Sequence, residues 1–288
     1  MKLGGCVVVS NHAAEIVTFL KYYLDCQGID AVAVIVNGSQ DGTADAVRTM
    51  HDKRIHLFSQ PLHVCHRLAE DAWHVVEKLL TCTGCECVVL LDISEYLYSS
   101  SFSDIKSALL NTRHNLVKSH TPYIPVKVLE FIETECDEGS RDIHYGIRLR
   151  YCRKSRPSGV AFFKRKNHFN NPLINGNVCN RDEVARPESD ALLCCRYPLP
   201  GRNRGRSMIL DRAERLIIST EGEWLKGKHS ASDRVFEIYN CIKNDSYDSF
   251  YKSNYFMTKG DLETGLRNAS VYRFDAVADC LQKTKHRA

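Results

Sequence analysis

Short apolar segments alternate with segments of helical periodicity over the first hundred residues, and this alternation constrains the fold more than any other feature. The apolar segments have the length of strands and cover residues 6–10, 31–36, 55–58 and 87–91. Between them, apolar residues recur every three or four positions, which predicts helices over 13–26, 44–50 and 63–80. Strands that alternate with helices form parallel sheets with right-handed crossovers. The sequence therefore predicts an α/β fold whose mainly parallel sheet is flanked by helices.

Polar residues follow the ends of three of these strands. Ser10 and Asn11 lie at the end of the first strand, Asn37 comes after the second and Asp92 after the fourth. Ligands of open α/β sheets bind beyond the carboxyl ends of the strands, so we expect Asp92 and Asn37 to line one pocket on adjacent strands, with Asn11 on its rim. A separation of Asp92 and Asn37 beyond about 10 Å would contradict this prediction. The alternative is that such residues only cap the helices and turns that follow, and for Thr43 we prefer that interpretation, as a helix N-cap.

The rest of the chain carries a weaker pattern. The predicted elements are a short helix over 104–110, strands over 126–132 and 147–151, and helices over 207–218 and 233–242. Residues 153–202 are predicted to be rich in loops, because Pro, Asn and Gly occur throughout, and the tail over 262–283 to be helical in part. A chain of 288 residues suffices for one large α/β domain, so we expect a single domain over 1–288.

Positive charge is concentrated in the middle of the chain. The net charge is +4, and residues 146–215 hold most of the Arg clusters. Such a surface binds anions, and composition does not choose between nucleic acid and the diphosphate of a sugar nucleotide. No apolar run approaches the ~18 to 20 residues of a membrane-spanning helix, and the apolar run at the N-terminus is too short for a signal peptide. We therefore expect a soluble, cytoplasmic protein.

Cysteine is frequent, with 13 residues in the chain. The count is odd, and the chain is much larger than small secreted disulfide-rich proteins, so we expect mostly reduced thiols. Cys82, Cys85 and Cys87 form a tight group that contains one CxxC pair. A zinc site is the alternative interpretation of this group, but no second CxxC or nearby pair of His residues completes it.

Several segments carry motifs at the predicted strand ends. The opening of the chain contains, in order, Asn11-His-Ala-Ala-Glu15, Phe19-Leu-Lys-Tyr-Tyr23, Gly28-Ile-Asp30 and Val36-Asn-Gly-Ser-Gln-Asp-Gly-Thr43. A further segment is Val88-Val-Leu-Leu-Asp-Ile-Ser-Glu-Tyr-Leu97. Cys195-Arg-Tyr-Pro198, followed by Arg206-Ser207, is a weaker match. The first set resembles the opening of family-2-like glycosyltransferases of the GT-A fold, and the next segment resembles the stretch that carries their DxD motif. The resemblance implies that residues 1–100 are a nucleotide-sugar-binding half and that residues 101–288 form an acceptor half.

The resemblance also implies substrates and site residues. The donor is a nucleotide sugar, and the acceptor is a hydroxyl group of an unknown glycan, lipid or protein. The implied donor-binding residues are Ser10, Asn11, Glu15, Asn37, Asp41, Asp92 and Arg196. In the family the first acid of the DxD motif, here Asp92, contacts the ribose or the sugar. The second acid coordinates Mg²⁺ or Mn²⁺, which suits hard oxygen ligands that bridge phosphates.

Three positions depart from the family pattern. Ser94 replaces the second acid of the DxD motif, Val36 replaces an Asp, and Arg196 replaces a late His. A Ser hydroxyl is a poor cation ligand and a guanidinium is none, so the motif is degenerate and the Mg²⁺ or Mn²⁺ site is weakened. Glu95 is a substitute metal ligand beside Asp92, although a regular strand points it to the face opposite to that of Ser94.

Arginines offer another way to neutralise a leaving diphosphate. The group on the Gly- and Pro-containing segment consists of Arg196, Arg202, Arg204 and Arg206. A solvated basic loop is the alternative. For the catalytic base, an inverting transfer needs a carboxylate, and the candidates are Asp182, Glu183 and Asp190, each of which is alternatively a surface acid. His12 is either a nucleotide contact or an exposed residue of a turn.

Three functions remain open on this basis. The first, which we favour, is an inverting glycosyltransferase that uses a nucleotide-sugar donor. The second is a GT-A-fold binding or scaffold protein without catalysis, which the changes at Val36, Ser94 and Arg196 suggest. The third is a nucleic-acid-binding protein, and it has the least support because no RRM, zinc-finger or helix-turn-helix signature accompanies the positive charge.

Overall fold

The computed structural model of the chain describes residues 2–61, 65–109, 123–135, 151–154, 158–164, 192–197, 205–211, 213 and 230–285. The chain divides into two units. Unit 1 comprises Met1–Leu129, Lys154–Arg196 and Asp275–Ala288, and unit 2 comprises Glu130–Arg153 and Tyr197–Phe274. The expectation of a single domain over 1–288, with halves at 1–100 and 101–288, stays a prediction.

The strands and helices have the following bounds. The strands are β1 (Leu3–Val9), β2 (Ala31–Asn37), β3 (Ile55–Gln60), β4 (Cys87–Leu91), β5 (Glu95–Tyr98), β6 (Tyr123–Phe131), β7 (Glu133–Thr134), β8 (Tyr151–Lys154), β9 (Ser158–Lys164), β10 (Leu193–Arg196), β11 (Phe256–Met257) and β12 (Tyr272–Arg273). The helices are α1 (Ala13–Lys21), which continues into a π-helical turn (Tyr22–Cys26), α2 (Thr43–Arg48), α3 (Cys65–Cys82), α4 (Ser230–Lys243), α5 (Tyr247–Tyr255), α6 (Lys259–Arg267) and α7 (Ala276–Lys285). Among the described residues, no helix is long and apolar enough to span a membrane.

The sheet of unit 1 is mainly parallel, as predicted. Its centre consists of four parallel strands in the order β3-β2-β1-β4. Beyond β4 lies β9, which is antiparallel to both β4 and β6. All seven residues of β2 are buried, which is typical of a strand that is covered on both faces. The predicted α/β fold with a parallel sheet flanked by helices is therefore confirmed.

The order of the strands creates a reversal point in the sheet. The chain passes from β1 to β2 to β3 in one direction and then returns, through α3, to place β4 on the other side of β1. On one face, α3 packs against β1, β2 and β4 through Val75, Val76, Leu79 and Leu80. Because such crossovers are right-handed, α1 and α2 cover the opposite face. Open α/β sheets bind ligands where the strand order reverses, which here is the carboxyl end of β1 and β4.

The first strand begins earlier than the predicted residue 6, because Gly4 and Gly5 belong to β1. A Cβ atom at Gly5 would lie 2.9 Å from Cδ1 of Leu91, and one at Gly4 would lie 3.1 Å from Cγ2 of Val88. Glycine fits this part of β1 because the side chains of β4 approach its backbone closely. The predicted strand began too late because glycine has a low strand propensity.

The first two helices also differ from their predicted bounds. The segment 13–26 is predicted as one helix, whereas it consists of α1 and the π-helical turn that follows. The predicted N-cap of α2 at Thr43 is wrong. Gly42 occupies the cap with a φ of 81°, a conformation that favours glycine, and Thr43 is the first residue of the helix.

The prediction that residues 153–202 are rich in loops is wrong for the described part of this region. It contains β9, which lies between β4 and β6 in the sheet, and β10, which pairs with β5 in antiparallel register. Both strands pair with segments far away in the sequence. Local periodicity carries no information about such partners, so short strands of this kind are missed.

The core of unit 2 is formed by helices. Its buried residues include Ile209, Ile238, Ile242, Tyr247 and Tyr251. The predicted helix over 233–242 is confirmed within α4, and the predicted helix over 207–218 is observed over 205–211, with residues beyond 213 outside the described part. β7 and β11 form a short parallel pair in this unit. The predicted partly helical tail corresponds to α6 in unit 2 and α7 in unit 1.

Candidate functional site

Asn37 and Gln60 end two neighbouring strands on the face of the sheet that α3 covers. In β2, Ala33 and Ile35 pack against α3, and Asn37 continues this face because side chains alternate along a strand. Gln60 is the register partner of Asn37 and follows Phe58, which packs against the same cluster. Asn37 is only 6% exposed. The carboxyl ends of β2 and β3 therefore present two carboxamides on one face of the sheet.

Ser10 and Asp92 come one residue after β1 and β4. Val8 and Leu90, two residues earlier, pack against the α3 cluster. A regular continuation of each strand would place Ser10 and Asp92 on the same face as Asn37. Ser10 is half-buried and Asp92 is exposed. Polar residues thus follow both strands at the reversal point of the sheet.

Asp92 and Asn37 do not follow adjacent strands, so this part of the prediction is wrong. β1 lies between β2 and β4, and the register of β1 with its neighbours leaves a stagger of two residues between Asp92 and Asn37. With strands about 4.8 Å apart and a rise of about 3.3 Å per residue, their Cα atoms are about 12 Å apart. This Cα–Cα separation lies slightly beyond the limit set above. A shared pocket therefore requires a ligand that spans this distance, and it stays a prediction.

Hydrogen bonds join the loop after β1 to the loop after β2. The N–H group of Asn11 donates to Oγ of Ser39 over 3.0 Å, and Oδ1 of Asn11 accepts from the N–H group of Gln40 over 2.8 Å. Asn11 has a φ of 57°, a left-handed conformation that Asn tolerates better than most residues. We name these two joined loops, residues 10–13 and 38–43, the strand-end latch.

Asp41 is the central acceptor of the strand-end latch. Its Oδ2 accepts from the N–H group of Ala13 over 2.9 Å, and its Oδ1 accepts from the N–H group of Thr43 over 3.0 Å and from the Thr43 hydroxyl. Partial burial tends to raise the pKa of the Asp41 carboxyl, but these hydrogen bonds together outweigh it and hold the pKa below its usual range. Asp41 is therefore ionised and bonded to its own chain, which gives this predicted donor-binding residue a clear structural role.

His12 and Glu15 form a half-buried pair at the start of α1. Nδ1 of His12 lies 3.6 Å from Oε2 of Glu15, and the two side chains are 14% and 17% exposed. The N–H group of His12 donates to Oγ1 of Thr43 over 2.9 Å. Within the described part of the chain, no group makes a hydrogen bond to Nδ1 of His12, which is buried. His12 is thus not an exposed residue of a turn.

The carboxylate of Asp92 accepts hydrogen bonds from Ser94, the residue that replaces the second acid of the DxD motif. Its Oδ1 accepts from the N–H group of Ser94 over 2.8 Å and from the Ser94 hydroxyl over 2.6 Å. The N–H group of Glu95 donates to the carbonyl oxygen of Asp92 over 2.9 Å, which closes a tight turn between β4 and β5. One carboxylate oxygen of Asp92 is thereby committed to the turn. Among the described residues, no group donates a hydrogen bond to its other oxygen.

Glu95 and Arg196 are brought together across β5 and β10. They are register partners, and Nε and Nη2 of Arg196 lie 3.0 Å and 2.8 Å from Oε1 of Glu95. The side chain of Glu95 is 12% exposed and that of Arg196 is 29% exposed. A charge-assisted contact of this kind neutralises the carboxylate and orients the guanidinium. Glu95, the predicted substitute metal ligand, is therefore bound to Arg196, the predicted diphosphate ligand.

Two buried tyrosines fix the position of β5, and the sequence interpretation did not identify this role. The Tyr23 hydroxyl donates to the carbonyl oxygen of Glu95 over 2.8 Å and accepts from the N–H group of Leu97 over 2.9 Å. The Tyr22 hydroxyl donates to the carbonyl oxygen of Leu97 over 2.8 Å. Tyr96 of β5 packs against both rings. Tyr22 and Tyr23 lie in the segment Phe19–Tyr23 that carries the resemblance, but no sequence signal indicated which backbone groups their hydroxyls would bind.

The described residues provide few ligands for a metal ion. They contain no group of three His, Cys, Asp or Glu side chains placed to hold one. In the alternative zinc group, Cys82 is exposed whereas Cys85 and Cys87 are buried, and burial raises the pKa of the Cys85 thiol. All ten cysteines whose side chains are described are thiols, as expected. Among the described residues, Asp92 is thus the main remaining ligand for Mg²⁺ or Mn²⁺, and a cation held there would have to complete its coordination with donor phosphates and water.

Several predicted site residues lie outside the described part of the chain. They are the candidate bases Asp182, Glu183 and Asp190 and the arginines Arg202 and Arg204. Arg206 is exposed on the helical stretch over 205–211 of unit 2. The structure therefore describes the predicted donor-binding residues and leaves the predicted catalytic base without a position.

Comparison with known proteins gives structural similarities at low sequence identity. No protein family model matches the chain, and no curated protein matches it. A mannosyltransferase from Pyrobaculum calidifontis, solved with GDP-Man and Mn²⁺, is 14% identical with a TM-score of 0.37, over 98% of this chain and 86% of that one. TarS 1–349 from S. aureus is 13% identical with a TM-score of 0.33, over 88% of this chain and 74% of that one.

A third similar structure is named for a different activity. The 4-diphosphocytidyl-2C-methyl-D-erythritol synthase is 13% identical with a TM-score of 0.34, over 62% of this chain and 79% of that one. At these TM-scores the similarities do not establish a shared fold.

Proposed function

We propose that this protein is a glycosyltransferase of the GT-A type, which transfers a sugar from a nucleotide-sugar donor to an acceptor hydroxyl with inversion. One observation carries the proposal. Polar residues gather at the carboxyl ends of β1, β2 and β4, around the reversal point of the parallel sheet, where open α/β sheets bind nucleotides. The motifs that resemble family-2-like glycosyltransferases occupy these same positions.

In the proposed site the donor lies across the strand ends. Asn37 and the latch residues Ser10 and Asn11 would contact the nucleoside, and Asp92 would contact the ribose or the sugar. The four hydrogen bonds that Asn11, Asp41 and Thr43 make between the loops support this arrangement, because they hold the latch in one conformation before a ligand arrives. A preorganised site loses less entropy on binding than a flexible one.

Neutralisation of the diphosphate is proposed to depend little on a cation. The fit of the described residues to Mg²⁺ or Mn²⁺ is poor, because Ser94 occupies one oxygen of Asp92 and Arg196 is paired with Glu95. A bound cation would supply charge neutralisation of the phosphates, and Asp92 is its main protein ligand among the described residues. The guanidinium of Arg196 would contribute hydrogen-bond donors near β5 rather than net positive charge, because Glu95 balances its charge.

The proton of the acceptor hydroxyl must be taken up by a base. The proposal keeps Asp182, Glu183 and Asp190 as candidates, since a carboxylate is the group that inverting transfer requires. The acceptor itself, a glycan, a lipid or a protein, has no assigned contact.

A binding or scaffold protein without catalysis is the second candidate function. The pairing of Glu95 with Arg196 and the bond from Ser94 to Asp92 favour it, because both acids are stabilised by their own chain. A nucleic-acid-binding protein has less support. Its affinity would fall steeply with salt, whereas a nucleotide bound mainly through its base and sugar would not respond in this way.

The proposal is tested by thermal-shift measurements with UDP, GDP, CDP and ADP, each with Mn²⁺ and with a chelator. A ligand that binds only the native state raises the melting temperature, so at least one nucleotide is expected to do so in the chelated sample. Asp92→Asn should reduce the shift, while Glu263→Gln, an exposed acid on α6, should leave it unchanged. Slow release of nucleotide from UDP-glucose or GDP-mannose would then support catalysis. Binding without any turnover would favour the scaffold function, and no shift with any nucleotide would contradict the transferase and leave the scaffold function in its place.

A further inference from the structure

One edge of β5 is bound by tyrosine side chains in the place of a neighbouring strand. Among the described strands, only β10 pairs with β5. The Tyr23 hydroxyl binds the carbonyl oxygen of Glu95 and the N–H group of Leu97, which lie on one edge because alternate residues of a strand share an edge. The carbonyl oxygen of Leu97 is bound by the Tyr22 hydroxyl. Two hydroxyls thus pair three backbone groups without a further strand.

The π-helical turn accounts for two consecutive tyrosines that reach the same strand. The N–H group of Gln27 donates to the carbonyl oxygen of Tyr22 over 3.1 Å, a bond that spans five residues. A turn of this kind is wider than an α-helical turn, so consecutive side chains are separated by a smaller angle around the axis. π-Helical turns are rare, and many of them lie at functional sites.

The end of β5 that Tyr23 holds adjoins Asp92. Glu95 is the first residue of β5, and its N–H group donates to the carbonyl oxygen of Asp92 over 2.9 Å. The carbonyl oxygen of Glu95 accepts from the Tyr23 hydroxyl over 2.8 Å. Glu95 therefore connects the turn of Asp92 to Tyr23 through its two backbone groups. Tyr22 binds β5 two residues further along, at a greater distance in the chain from the turn.

Tyr23 can act on a ligand only through this connection. Its side chain is 0% exposed, so it contacts no ligand itself. Its ring lies 4.8 Å from that of Phe19, measured between centroids, and is stacked on the ring of Tyr96 at an interplanar angle of 14°. Close packing of this kind holds the hydroxyl at one position. Tyr23 is thus a fixed point to which the start of β5 is attached.

We propose that Tyr23 is a positioning residue of the donor site, which orients the carboxylate of Asp92 through the first residue of β5. This inference rests on the proposed function, in which Asp92 contacts the ribose or the sugar. Without the hydroxyl, the Glu95 carbonyl and the Leu97 N–H group lose their partner, and the start of β5 shifts to recover hydrogen bonds. The turn of Asp92 shifts with it, whereas binding groups must be held to within about 0.5 Å.

The test is a set of affinities measured by titration calorimetry on the full chain. The probes are UDP, GDP, CDP, ADP, UDP-glucose and GDP-mannose, and the probe that binds the wild type most tightly is used for every variant. We expect Tyr23→Phe to bind this probe about tenfold more weakly, which is the effect of one lost hydrogen bond to a charged group. Tyr22→Phe, which lacks the adjacent buried hydroxyl, is the matched variant and should lose less affinity.

Folding of the variants is checked by melting curves at the temperature of the titration. Phe19→Leu takes the place of Tyr23→Phe if the latter does not fold, because it loosens the packing of the Tyr23 ring and keeps the hydroxyl. The same direction of change in affinity is expected for it, with a smaller magnitude.

Asp92→Ala shows whether the effect passes through Asp92. In the proposed site Asn37, Ser10 and Asn11 keep their contacts in this variant, so it retains weak binding. If Tyr23 acts by orienting the carboxylate, its hydroxyl has little further effect once that carboxylate is absent. We therefore expect the double variant, Tyr23→Phe with Asp92→Ala, to bind the probe nearly as well as Asp92→Ala alone. A general loosening of the fold would lower the affinity in both backgrounds.

The outcomes distinguish this inference from the proposed function. If none of the six probes binds the wild type, the proposed function fails and this inference fails with it. If a probe binds and Tyr23→Phe keeps the wild-type affinity, the positioning role is overturned while nucleotide binding stands. The same holds if Tyr22→Phe loses as much affinity, or if the loss persists in the Asp92→Ala background. If Asp92→Ala binds no probe, the comparison of Tyr23→Phe with Tyr22→Phe decides.

Discussion

Arg196 and Glu95 face each other across β5 and β10, and two nitrogen atoms of the guanidinium lie within 3.0 Å of one carboxylate oxygen. The pair joins residues that are 101 positions apart in the chain. It therefore ties β10 to the turn that carries Asp92. Both residues entered the sequence interpretation as ligands for the donor or its cation, and their contact changes what each can do.

The first prediction concerns the stability that this pair provides. Arg196→Gln leaves the carboxylate of Glu95, which is only 12% exposed, without its cation, and we expect a loss of about 1–3 kcal/mol in the free energy of unfolding. Glu95→Gln should reduce the free energy of unfolding by less, because the Arg196 side chain is more exposed and water can solvate its guanidinium in place of the carboxylate. Urea denaturation of both variants and of the double variant measures the coupling between the two residues. A coupling energy near zero would contradict the prediction.

The second prediction concerns the dependence on a cation. Ser94→Asp combined with Arg196→His supplies a second carboxylate, adds a neutral metal ligand and releases Glu95 from its partner. We expect nucleotide affinity to depend more strongly on Mn²⁺ in this double variant than in the wild type. Ser94→Asn with Arg196→His is the matched control, because it lacks the added charge. Complete loss of nucleotide affinity in the wild type on chelation would show that other acids complete a metal site.

The third prediction concerns the response of the strand-end latch to acid. The pKa of Asp41 is lower in the folded chain than the usual value of about 3.9 for an unfolded Asp, so the folded state binds this proton less tightly. The stabilisation by Asp41 is therefore present above about pH 4 and is lost as the pH falls through the folded pKa. We expect Asp41→Asn to be less stable at pH 7 and to show a smaller decline in stability between about pH 5 and pH 2. Melting temperatures across this range, with Asp45→Asn on the exposed surface of α2 as control, measure the difference.

The fourth prediction concerns the buried tyrosines. Tyr23→Phe removes the acceptor of the Leu97 N–H group and the donor to the Glu95 carbonyl, both inside the protein, and we expect a loss of about 2 kcal/mol in the free energy of unfolding. Tyr22→Phe removes a single hydrogen bond, to the Leu97 carbonyl, and should cost less. Chemical denaturation of the two variants compares them. Equal losses would mean that the backbone of β5 is not held as the hydrogen bonds indicate.

The parallel centre of the fold was predictable because its signals are local. Each of β1 to β4 is a short apolar run, and the intervening helices show their period within a few turns. β5 and β10 are four residues each and pair with one another, and β9 enters the sheet beside β4 from a distant part of the chain. Such pairings depend on the packing of the whole unit, which no local window of sequence contains.

In the candidate site, too, some residues had a local sequence signal and others did not. Asn37 and Asp92 were identifiable because each directly follows an apolar strand run. The bond between Asn11 and Ser39, the contact between Glu95 and Arg196, and the bonds from Tyr23 to β5 depend on which loops and strands become neighbours in space. Residue type and spacing indicated the edge of the sheet, and the distribution of hydrogen bonds along that edge required the folded chain.

Helix α1 has attachments at both of its ends. At its N-terminal end the N–H group of Ala13 is bound by Asp41 of the strand-end latch, and just beyond its C-terminal end Tyr22 and Tyr23 are bound to the backbone of β5. Nine residues of helix span about 13 Å. A rigid rod of this length transmits a displacement of one end to the other. Any displacement of the latch would therefore tilt α1 and pull on the backbone of β5 beside the turn at Asp92, so that the loops at the two ends of the helix cannot shift independently of each other.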